Sequence, residues 1–457
     1  MKLSLSWIGD YVEIPEDMDL KKLAYDVTMS TVEVEDVEYL ARRFDNMAVG
    51  VIEKIEAHPN ADKLRVCKVD LGSGTKEIVC GGINLEEGMR VAVACPGAVV
   101  RWHGEGEPVV IKNSKLRGVE SYGMICASDE IGLGDLFPAS QEAEILDLSA
   151  FDVPAGTPLA DALDMNDVLL EIDNKSMTNR PDLWGHYGIA REIAALYDLP
   201  LKKIEPWQAD VESDFKVEIQ DPDRCTRYIG VEMSGVEVKP SPYKMQSRIW
   251  KVGMRPINAL VDITNYVMLA TGNPTHAFDA DNISDHIVVR RAAEGEKLVL
   301  LNDKELDLCG DDLVITDSEG PVALAGVMGG AKDSILPDTK RVILEVANFE
   351  STGVRRTALR YDNRTEASSR YEKALALSMQ YFKELYPELQ VTGCCDQYVK
   401  KLERAQIDVS LAWLAKRLGK DLSNDVIRAK LELLGFDVEI EGDNMHVTAP
   451  TWRSTGD

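Results

Sequence analysis

The clearest pattern of apolar and polar positions lies in residues 255–279, RPINALVDITNYVMLATGNPTHAFD. The apolar residues of one expected helix face recur with helical spacing: Ile257, Leu260, Val261, Val267 and Met268. Proline is favoured at the first position of a helix and glycine just beyond its end. The pattern therefore predicts a helix that opens at Pro256 and stops near Gly272.

Small hydrogen-bonding side chains interrupt that apolar face at four positions: Asn258, Asp262, Thr264 and Asn265. Such groups are costly to bury unless they are paired. Two interpretations follow: they brace a neighbouring loop, as most buried polar atoms do, or they line a ligand pocket. The following loop delivers His276, so a titratable ring is expected beside the polar stripe.

The N-terminal pattern predicts a helix over 20–29 capped by Asp19 and an alternating strand over 31–37. Residues 165–200 add a strand at 168–172, a turn at 179–182 and a helix over 185–197. Because neither piece folds alone, we expect one discontinuous α+β domain, residues 1–39 plus 151–204, that carries an inserted domain. The turn Asn-Arg-Pro-Asp is either a ligand loop or a plain turn.

Residues 40–150 show short alternating runs at 48–55, 64–71, 77–80 and 90–94, separated by glycine-rich turns, and are typical of a small β-barrel. Residues 205–375 mix helices with strands predicted at 215–220, 228–233, 287–291, 297–301, 312–316 and 322–326. Residues 376–404 are predicted to be a linker. Residues 405–457 predict two helices and a hairpin, a winged-helix-like module that ends truncated.

Composition narrows the function classes. The chain has 457 residues, with 51 Lys and Arg against 78 Asp and Glu and a net charge of -27, which argues against general coating of nucleic acid and against a DNA partner. Residues 40–120 hold 12 basic and 11 acidic side chains, so nucleic-acid contact is expected to be local. Eight cysteines without metal-ligand spacing and the lack of a long apolar run favour a reduced, cytoplasmic protein with no membrane contact.

Three segments of the barrel region carry a more specific signal: HPNADKLRVCKVDLG, IVCGGINL and KNSKLRGVESYGMICASDEIGL. They resemble the tRNA-binding OB-fold appended to several aminoacyl-tRNA synthetases. Six basic residues would line a groove that follows phosphates in such a barrel: Lys63, Arg65, Lys68, Lys112, Lys115 and Arg117. The alternative is that these are solvated strand faces.

The whole chain resembles the bacterial phenylalanyl-tRNA synthetase β-subunit family. Four motifs carry that resemblance: NRPD followed by GHYGIAREIAALY, RPINALVDITNYVM with HAFD, ALAGVMGG, and RTEASSRYEKA. It implies an α+β multidomain fold with the OB-fold barrel inserted in the discontinuous N-terminal α+β domain, a mixed α+β editing domain at 205–375 and the winged-helix-like module. We expect an N-terminal fragment of such a subunit.

The resemblance also implies partners and a reaction. These are phenylalanine tRNA, an α subunit in an α2β2 heterotetramer that uses ATP to aminoacylate tRNA, and Mg2+ held partly by Asp457. The editing domain would hydrolyse tyrosine wrongly esterified to phenylalanine tRNA. A second sieve is needed because a hydrophobic pocket rejects an added hydroxyl by only roughly 10²-fold.

By the same resemblance Glu345 is the acceptor for the phenolic hydroxyl, and Thr264, Asn265 and His276 line the pocket and hold the ester and terminal ribose. Arg255 lies nearby, while Ala325, Gly326 and Gly329 admit the substrate to the backbone and Thr365 and Ala367 set pocket size. A water is expected to attack the ester, with His276 orienting groups or acting as general base.

Two other classes were weighed. A non-catalytic tRNA-binding or assembly protein, in which the pocket residues only brace the fold, stays open. The cluster Arg355, Arg356, Arg360, Arg364 and Arg370 either meets an acidic strand or phosphate backbone, or is a solvated helix face. A metal hydrolase is disfavoured because the six histidines are dispersed.

Overall fold

The computed structural model describes residues 1–173, 175, 177, 179–209, 211, 213–332, 334–362, 371–401 and 403–453, and its fold is mixed α+β. The helices are α1 (Leu5–Ile8), α2 (Leu20–Ser30), α3 (Leu159–Ala162), α4 (His186–Tyr197), α5 (Tyr243–Lys251), α6 (Ala259–Thr271), α7 (Ser351–Arg360), α8 (Tyr371–Leu385), α9 (Leu411–Leu418) and α10 (Asn424–Leu433). The described residues include no helix long and apolar enough to cross a membrane.

The strands form several separate sheets. In chain order they are β1 (Lys2–Ser4), β2 (Val34–Tyr39), β3 (Met47–Ala57), β4 (Arg65–Asp70), β5 (Thr75–Cys80), β6 (Arg90–Ala94), β7 (Val99–Arg101), β8 (Pro108–Val110), β9 (Ser114–Leu116), β10 (Val119–Ser121), β11 (Met124–Ile125), β12 (Val168–Ile172), β13 (Val217–Ile219), β14 (Cys225–Ser234), β15 (His276–Asp279), β16 (Ile287–Arg291), β17 (Lys297–Val299), β18 (Glu305–Asp307), β19 (Leu313–Thr316), β20 (Pro321–Leu324), β21 (Met328–Gly329), β22 (Arg341–Phe349), β23 (Gln390–Tyr398), β24 (Gln406–Ser410), β25 (Asp437–Glu441) and β26 (Asn444–Thr448).

The first sheet, in the order β1-β12-β2, joins the two ends of the N-terminal region. Helix α2 begins where predicted, because the Asp19 carboxylate accepts hydrogen bonds from the backbone N–H groups of Lys21 and Lys22. Strand β12 has the predicted bounds. Strand β2 lies three residues later than the predicted start, at Val34–Tyr39, where it pairs with β12.

The inserted region forms a near-closed, barrel-like sheet in the order β11-β6-β3-β4-β5. Its two edges approach each other at β5, where Tyr122 N–H donates to the Glu77 carbonyl at 2.9 Å and Val79 N–H donates to Ser121 Oγ at 3.1 Å. Alternate residues of the strands fill the interior, among them Ile52, which is fully buried. The runs predicted as strands between 48 and 94 are confirmed to within a few residues.

Two facing sheets build the region that contains the polar helix. One has the order β13-β16-β19-β20-β21, and the other has the order β15-β22-β14-β23. The core between them includes Tyr228, Phe278, Ile315, Ala323 and Ile343. The opposite face of the second sheet packs on α6 and α8, so β22 is buried on both sides and only a few of its positions face the inter-sheet space.

Helix α6 ends as predicted, at Gly272 with a φ of 76°, but it begins at Ala259 and not at Pro256. The reason is the side chain of Asn258, which accepts hydrogen bonds from Leu260 N–H and Val261 N–H at 3.1 Å each and caps the first turn. The prediction gave weight to proline at a helix start and missed the stronger cap two residues later.

The segment predicted to be a linker, 376–404, differs in the structure. Helix α8 continues to Leu385, and β23 pairs antiparallel with β14, with Cys395 opposite Gly230. The half-buried Val391 and Cys394 pack on the hydrophobic core that β14 and β22 share with α6 and α8. This packing holds the stretch as a strand. The second sheet therefore gains an edge strand from residues beyond the predicted domain end.

The last region has the predicted two helices and hairpin, with the sheet order β24-β26-β25. Ser410 and Ser423 cap α9 and α10. Lys430 anchors this region to α4: its Nζ donates to the Ala195 carbonyl at 2.7 Å and pairs with Asp198 at 2.7 Å.

Candidate functional site

His276 and Glu345 lie directly opposite each other in the antiparallel pair β15–β22. Residues directly opposite on neighbouring strands share a face of the sheet. Phe278 and Ile343, two positions along each strand, belong to the core between the two sheets. Side chains alternate along a strand, so His276 and Glu345 also face that inter-sheet space.

The carboxyl of Glu345 is 7% exposed. The phenol of Tyr228 donates a hydrogen bond to Glu345 Oε2 at 3.4 Å, and no Lys, Arg or His among the described residues forms an ion pair with the carboxylate. The imidazole of His276 packs edge-on against the ring of Phe278, with 4.6 Å between ring centroids and an interplanar angle of 76°. The pair is thus enclosed by aromatic rings and sheet backbone.

Burial shifts both titrations in the direction that removes charge. It raises the pKa of Glu345 to about 8, although the Tyr228 hydrogen bond acts in the opposite sense. It lowers the pKa of the His276 imidazole to about 4. At neutral pH the site therefore holds a carboxylic acid and a neutral imidazole, two groups that donate and accept hydrogen bonds without carrying charge.

The small residues predicted to admit the substrate are Ala325, Gly326 and Gly329, and Gly329 is in contact with His276. A Cβ at Gly329 would lie 2.7 Å from His276 Cε1 and Nε2, so glycine is required for β21 to approach the ring this closely. Gly326 has a φ of 69°, a left-handed conformation that favours glycine. Ala325 is 2% exposed and belongs to the inter-sheet core. Gly329 thus places backbone, rather than a bulky side chain, against His276, whereas Gly326 lies against Val354 and Phe349.

Thr264 and Asn265 lie on α6, which packs against the other face of the sheet that carries His276 and Glu345. The Thr275 hydroxyl donates to the Thr264 carbonyl at 3.4 Å, and Thr275 immediately precedes His276. The Thr264 hydroxyl itself donates to the Val261 carbonyl at 2.7 Å. Asn265 is half-buried, and its side chain makes no hydrogen bond to the described residues. Of the pair, Asn265 is the residue with its polar atoms still available.

The other polar residues of that stripe brace the backbone. Asp262 accepts hydrogen bonds from Ile257 N–H at 2.8 Å and from the Ser241 hydroxyl, while Asn258 caps α6. The bracing interpretation is therefore confirmed for Asp262 and Asn258. It leaves Asn265 as the member of the stripe without a structural partner in the described part of the chain.

The remaining predicted site residues are dispersed or lie outside the described residues. Arg255 is exposed in the loop before α6 and forms no hydrogen bond or ion pair with the described residues. Thr365, Ala367 and Asp457 lie outside the described residues, as do Arg364 and Arg370 of the arginine cluster. Arg355 and Arg356 are exposed on α7. Arg360 instead pairs with the fully buried Asp312.

Sequence reasoning missed Tyr228 and Gly230, which flank Glu345 on β14. Gly230 is the register partner of Glu345, and a Cβ there would lie 2.7 Å from Phe215 Cε1. Both residues lie in the strand predicted at 228–233, and because they are two positions apart, their side chains are expected on the same face of that strand. Only the pairing of β14 with β22, which is not local in sequence, brings that face to Glu345.

The six basic residues predicted to follow phosphates are called here the basic edge. Lys63, Arg65 and Lys68 lie on β4 or in the loop before it, and Lys112, Lys115 and Arg117 lie in or next to the β9–β10 hairpin. Residues Leu116 to Val119 form the turn of the β9–β10 hairpin, where Arg117 has a φ of 44° and Gly118 a φ of 95°. Two positive φ values in succession are typical of a type I′ hairpin turn. Lys115 and Arg117 are thus presented at the tip.

The loop after β3 holds that hairpin tip in place. Asn60 Nδ2 donates to the Arg117 carbonyl at 2.8 Å, and His58 Nε2 lies 3.1 Å from the Leu116 carbonyl oxygen. Arg65 lies at the start of β4, in the same loop-and-strand unit, and is exposed, as is Lys63. Five members of the basic edge are exposed and Lys68 is half-buried. Their exposure is compatible both with phosphate binding and with solvated strand faces.

The NRPD turn is part of a buried ion network. Arg180 donates to both carboxylate oxygens of Asp182, at 2.8 and 2.7 Å, and also pairs with Glu192. Arg191 Nη1 donates to Asp182 at 3.1 Å. Burial opposes the charge of Arg180, but the two carboxylates hold its pKa above the ordinary value. The turn is therefore held by its own side chains and packs against α4.

A magnesium ion would need a cluster of oxygen-bearing side chains among the residues that the structure describes. Among them there is no group of three or more His, Cys, Asp or Glu side chains that is arranged to hold a metal ion. Hard cations need several oxygen ligands. The described residues therefore do not fit a magnesium site.

Comparison with known proteins places this geometry in context. The chain matches three families: the putative tRNA binding domain at residues 47–158, the B3/4 domain at 224–381 and the tRNA synthetase B5 domain at 407–455. The B3/4 match contains both His276 and Glu345, and the tRNA binding match contains the basic edge. The three matches follow the order of the regions described above.

The relatives include the phenylalanine–tRNA ligase beta subunits of Oceanobacillus iheyensis, 37% identical over 99% of this chain and 57% of that protein, and of Salinibacter ruber, 36% identical over 99% of this chain and 56% of that protein. The chain thus spans little more than half the length of these relatives. An N-terminal fragment of the phenylalanyl-tRNA synthetase beta subunit from Pyrococcus horikoshii is 19% identical, covers 63% of this chain and 83% of that chain, and has a TM-score of 0.35.

Proposed function

We infer that this chain, which belongs to the phenylalanine–tRNA ligase β-subunit family, hydrolyses tyrosine wrongly esterified to phenylalanine tRNA in the space between its two facing sheets. The observation that carries the proposal is the placement of Glu345 opposite His276, with the acid buried and with no cationic partner among the described residues. A buried hydrogen-bonding group of this kind distinguishes a phenol from a bare phenyl ring.

Discrimination between tyrosine and phenylalanine depends on whether the bound ring gives the Glu345 carboxyl a hydrogen-bond partner. A tyrosyl hydroxyl pairs with the Glu345 carboxyl, whereas a phenylalanyl ring leaves the buried carboxyl without that partner at a cost of roughly 1–3 kcal/mol. A site built to hydrogen-bond a hydroxyl rejects an analogue without it far more strongly than an apolar pocket rejects an added hydroxyl. Glu345 therefore selects the wrong amino acid for hydrolysis.

The hydrolytic step needs a water placed against the ester carbonyl. Its oxygen attacks the carbonyl carbon, the bond between that carbon and the ribose oxygen breaks, and a proton of the water ends on the ribose oxygen. His276 is neutral at pH 7, so its imidazole orients the water or the ester by hydrogen bonding. From family membership we assign Thr264 and Asn265 to the ribose end of the site and Ala325, Gly326 and Gly329 to its opposite wall.

We assign tRNA binding to the barrel-like region, as an OB-fold whose basic edge follows phosphates. The discontinuous N-terminal domain and the winged-helix-like last region would support the barrel-like region in binding tRNA. The complete protein would act with an α subunit, as an α2β2 heterotetramer in the cytoplasm, where the α subunit aminoacylates phenylalanine tRNA at the expense of ATP with Mg2+. These partners are proposed from family membership.

Release of tyrosine from tyrosyl-tRNA that carries the phenylalanine anticodon tests the proposal. We expect Glu345→Gln and His276→Asn to lose roughly 10²-fold in rate, because each removes a group that acts on the substrate. His286→Asn is the matched control, since His286 is half-buried in the same region and its side-chain partner among the described residues is the neighbouring Asp285. If the intact chain releases no more tyrosine than the two site variants, it is a non-catalytic tRNA-binding or assembly protein.

A further inference from the structure

The acid of Glu345 has one side-chain donor among the described residues, and that donor is itself a phenol. Tyr228 lies on β14 opposite Ala347, two positions from the Gly230–Glu345 pair, so its hydroxyl reaches Glu345 diagonally across the sheet. The hydroxyl donates to Oε2 at 3.4 Å, and Tyr228 is fully buried. The other carboxyl oxygen, Oε1, has no partner among the described residues.

We propose that Tyr228 is a positioning residue that determines specificity: it holds Oε2 of Glu345 and thereby presents Oε1 to the hydroxyl of the tyrosyl substrate. The inference rests on the proposed function and deepens it. It assigns a role to a residue that does not touch the substrate, and it explains why the protein keeps a buried hydroxyl next to the acid that must recognise one.

The need for such a residue comes from the freedom of a carboxyl group. The terminal torsion of glutamate has a broad, roughly two-fold distribution, so an unrestrained carboxyl exchanges its two oxygens and turns away from the substrate. A donor fixed on the neighbouring strand removes that freedom. The ring of Phe215 covers Gly230 and closes the side of the carboxyl away from His276.

Within the part of the chain that the structure describes, few titratable groups face the acid. Tyr228 and Cys225 come from β14, and His276 comes from β15. Burial raises the pKa of Tyr228 well above its ordinary value, so its hydroxyl stays protonated and remains a donor. The facing sheet contributes Ala323 and Ala325, which do not titrate. A change at Tyr228 therefore acts on the acid directly.

The test is Tyr228→Phe in the full chain, which removes the hydroxyl and keeps the ring. We expect kcat/KM for tyrosyl-tRNA to fall roughly three- to tenfold, the effect of one hydrogen bond, with the rate for phenylalanyl-tRNA unchanged. The pH at which selectivity for tyrosyl over phenylalanyl ester changes should move upward. Loss of the donor raises the pKa of Glu345, and a purely structural role would not shift this profile.

Tyr386→Phe is the matched control. Tyr386 is buried to 3% exposure, and its hydroxyl donates to the Glu237 carbonyl at 2.9 Å, so the variant loses one buried hydrogen bond far from Glu345. We expect an unchanged ratio of tyrosyl to phenylalanyl hydrolysis. If Tyr228→Phe does not fold, 3-fluorotyrosine at position 228 replaces it: a stronger donor should move the pH profile to lower pH.

The outcomes separate the two proposals. If the intact chain hydrolyses tyrosyl-tRNA but Tyr228→Phe, or the fluorinated chain, keeps the selectivity and pH profile of the intact chain, the positioning role of Tyr228 is wrong and the editing function stands. If the intact chain releases no tyrosine, the editing function fails and this inference fails with it. A shifted profile with reduced selectivity supports both.

Discussion

Two buried polar clusters in this chain compensate the cost of buried charge in different ways, one by ion pairing and the other by a change of protonation state. In the NRPD turn, Arg180 and Arg191 surround the fully buried Asp182, so the charges are neutralised by one another. Between the two facing sheets, Glu345 and His276 are neutralised by proton gain and loss, since burial raises the pKa of the acid to about 8 and lowers that of the imidazole to about 4.

The difference separates structural clusters from sites. In the ion network the charges of Asp182 and Glu192 are compensated by arginines, which fixes the turn against α4, although Arg191 Nη2 is buried without a hydrogen-bond partner among the described residues. A buried acid with one weak partner has hydrogen-bonding capacity left over, which is a cost to the fold unless a substrate uses it. Perturbed titration without a charged partner is thus the feature that marks Glu345 as a candidate site.

The largest effect is expected where charges are paired. Asp182→Ala leaves Arg180 and Arg191 buried without their shared carboxylate, and removing one partner of a buried pair costs about 3–5 kcal/mol. We expect urea unfolding to show that loss in the free energy of unfolding. Lys297→Ala, which breaks an exposed pair with Glu305, is the control and should leave the unfolding midpoint unchanged.

A smaller effect on the free energy of unfolding is expected at Glu345, where burial of the acid reduces stability instead of increasing it. Its folded pKa of about 8 lies above the ordinary 4.5, so the folded state binds the extra proton and stability falls as pH rises from 4.5 to 8. The penalty at pH 7 is on the order of 3 kcal/mol. Glu345→Gln should abolish this slope, and an unchanged slope would mean that the acid is not buried as described.

His276 should give the reverse slope on the acid side. Its folded pKa of about 4 lies below the ordinary 6.5, so the unfolded chain binds the proton first and stability falls as pH drops from 6.5 to 4. The effect is about 2 kcal/mol, reduced because the ring is only half-buried. His276→Asn should remove it, measured by thermal unfolding at several pH values with His286→Asn as the reference.

The smallest effect per residue is expected on the basic edge, where charges stay in water. Lys115→Ala and Arg117→Ala should each weaken tRNA binding a few-fold and reduce the slope of log affinity against log salt by about 0.7–0.9. Lys400→Ala, an exposed lysine paired with Asp223 outside the barrel, is the control. Equal slopes for all three variants would place the tRNA elsewhere.

Local signals in the sequence accounted for most elements. Asp19 predicts the start of α2 and Gly272 the end of α6, because each residue acts on its own stretch of backbone. The hairpin of β25 and β26 was likewise predicted from its turn residues. The start of α6 was misplaced because two local signals, Pro256 and Asn258, compete there.

Long-range pairing is what the sequence could not provide. The role of β23 as an edge strand depends on β14, which lies more than 150 residues earlier, and the contact of Tyr228 with Glu345 depends on the register of β14 with β22. The family resemblance supplied Glu345 and His276 as candidates. It did not supply the neighbours that set their protonation, because those neighbours are defined by register.

Carbon-13 NMR of the Glu345 carboxyl, identified by comparison with Glu345→Gln, tests the central claim most directly. The account predicts that this carboxyl is protonated at pH 7 and titrates near pH 8 in the free chain. It also predicts that the signal responds to a bound tyrosine ester and not to the phenylalanine ester. Titration near the ordinary value of 4.5, with equal response to both esters, would contradict it.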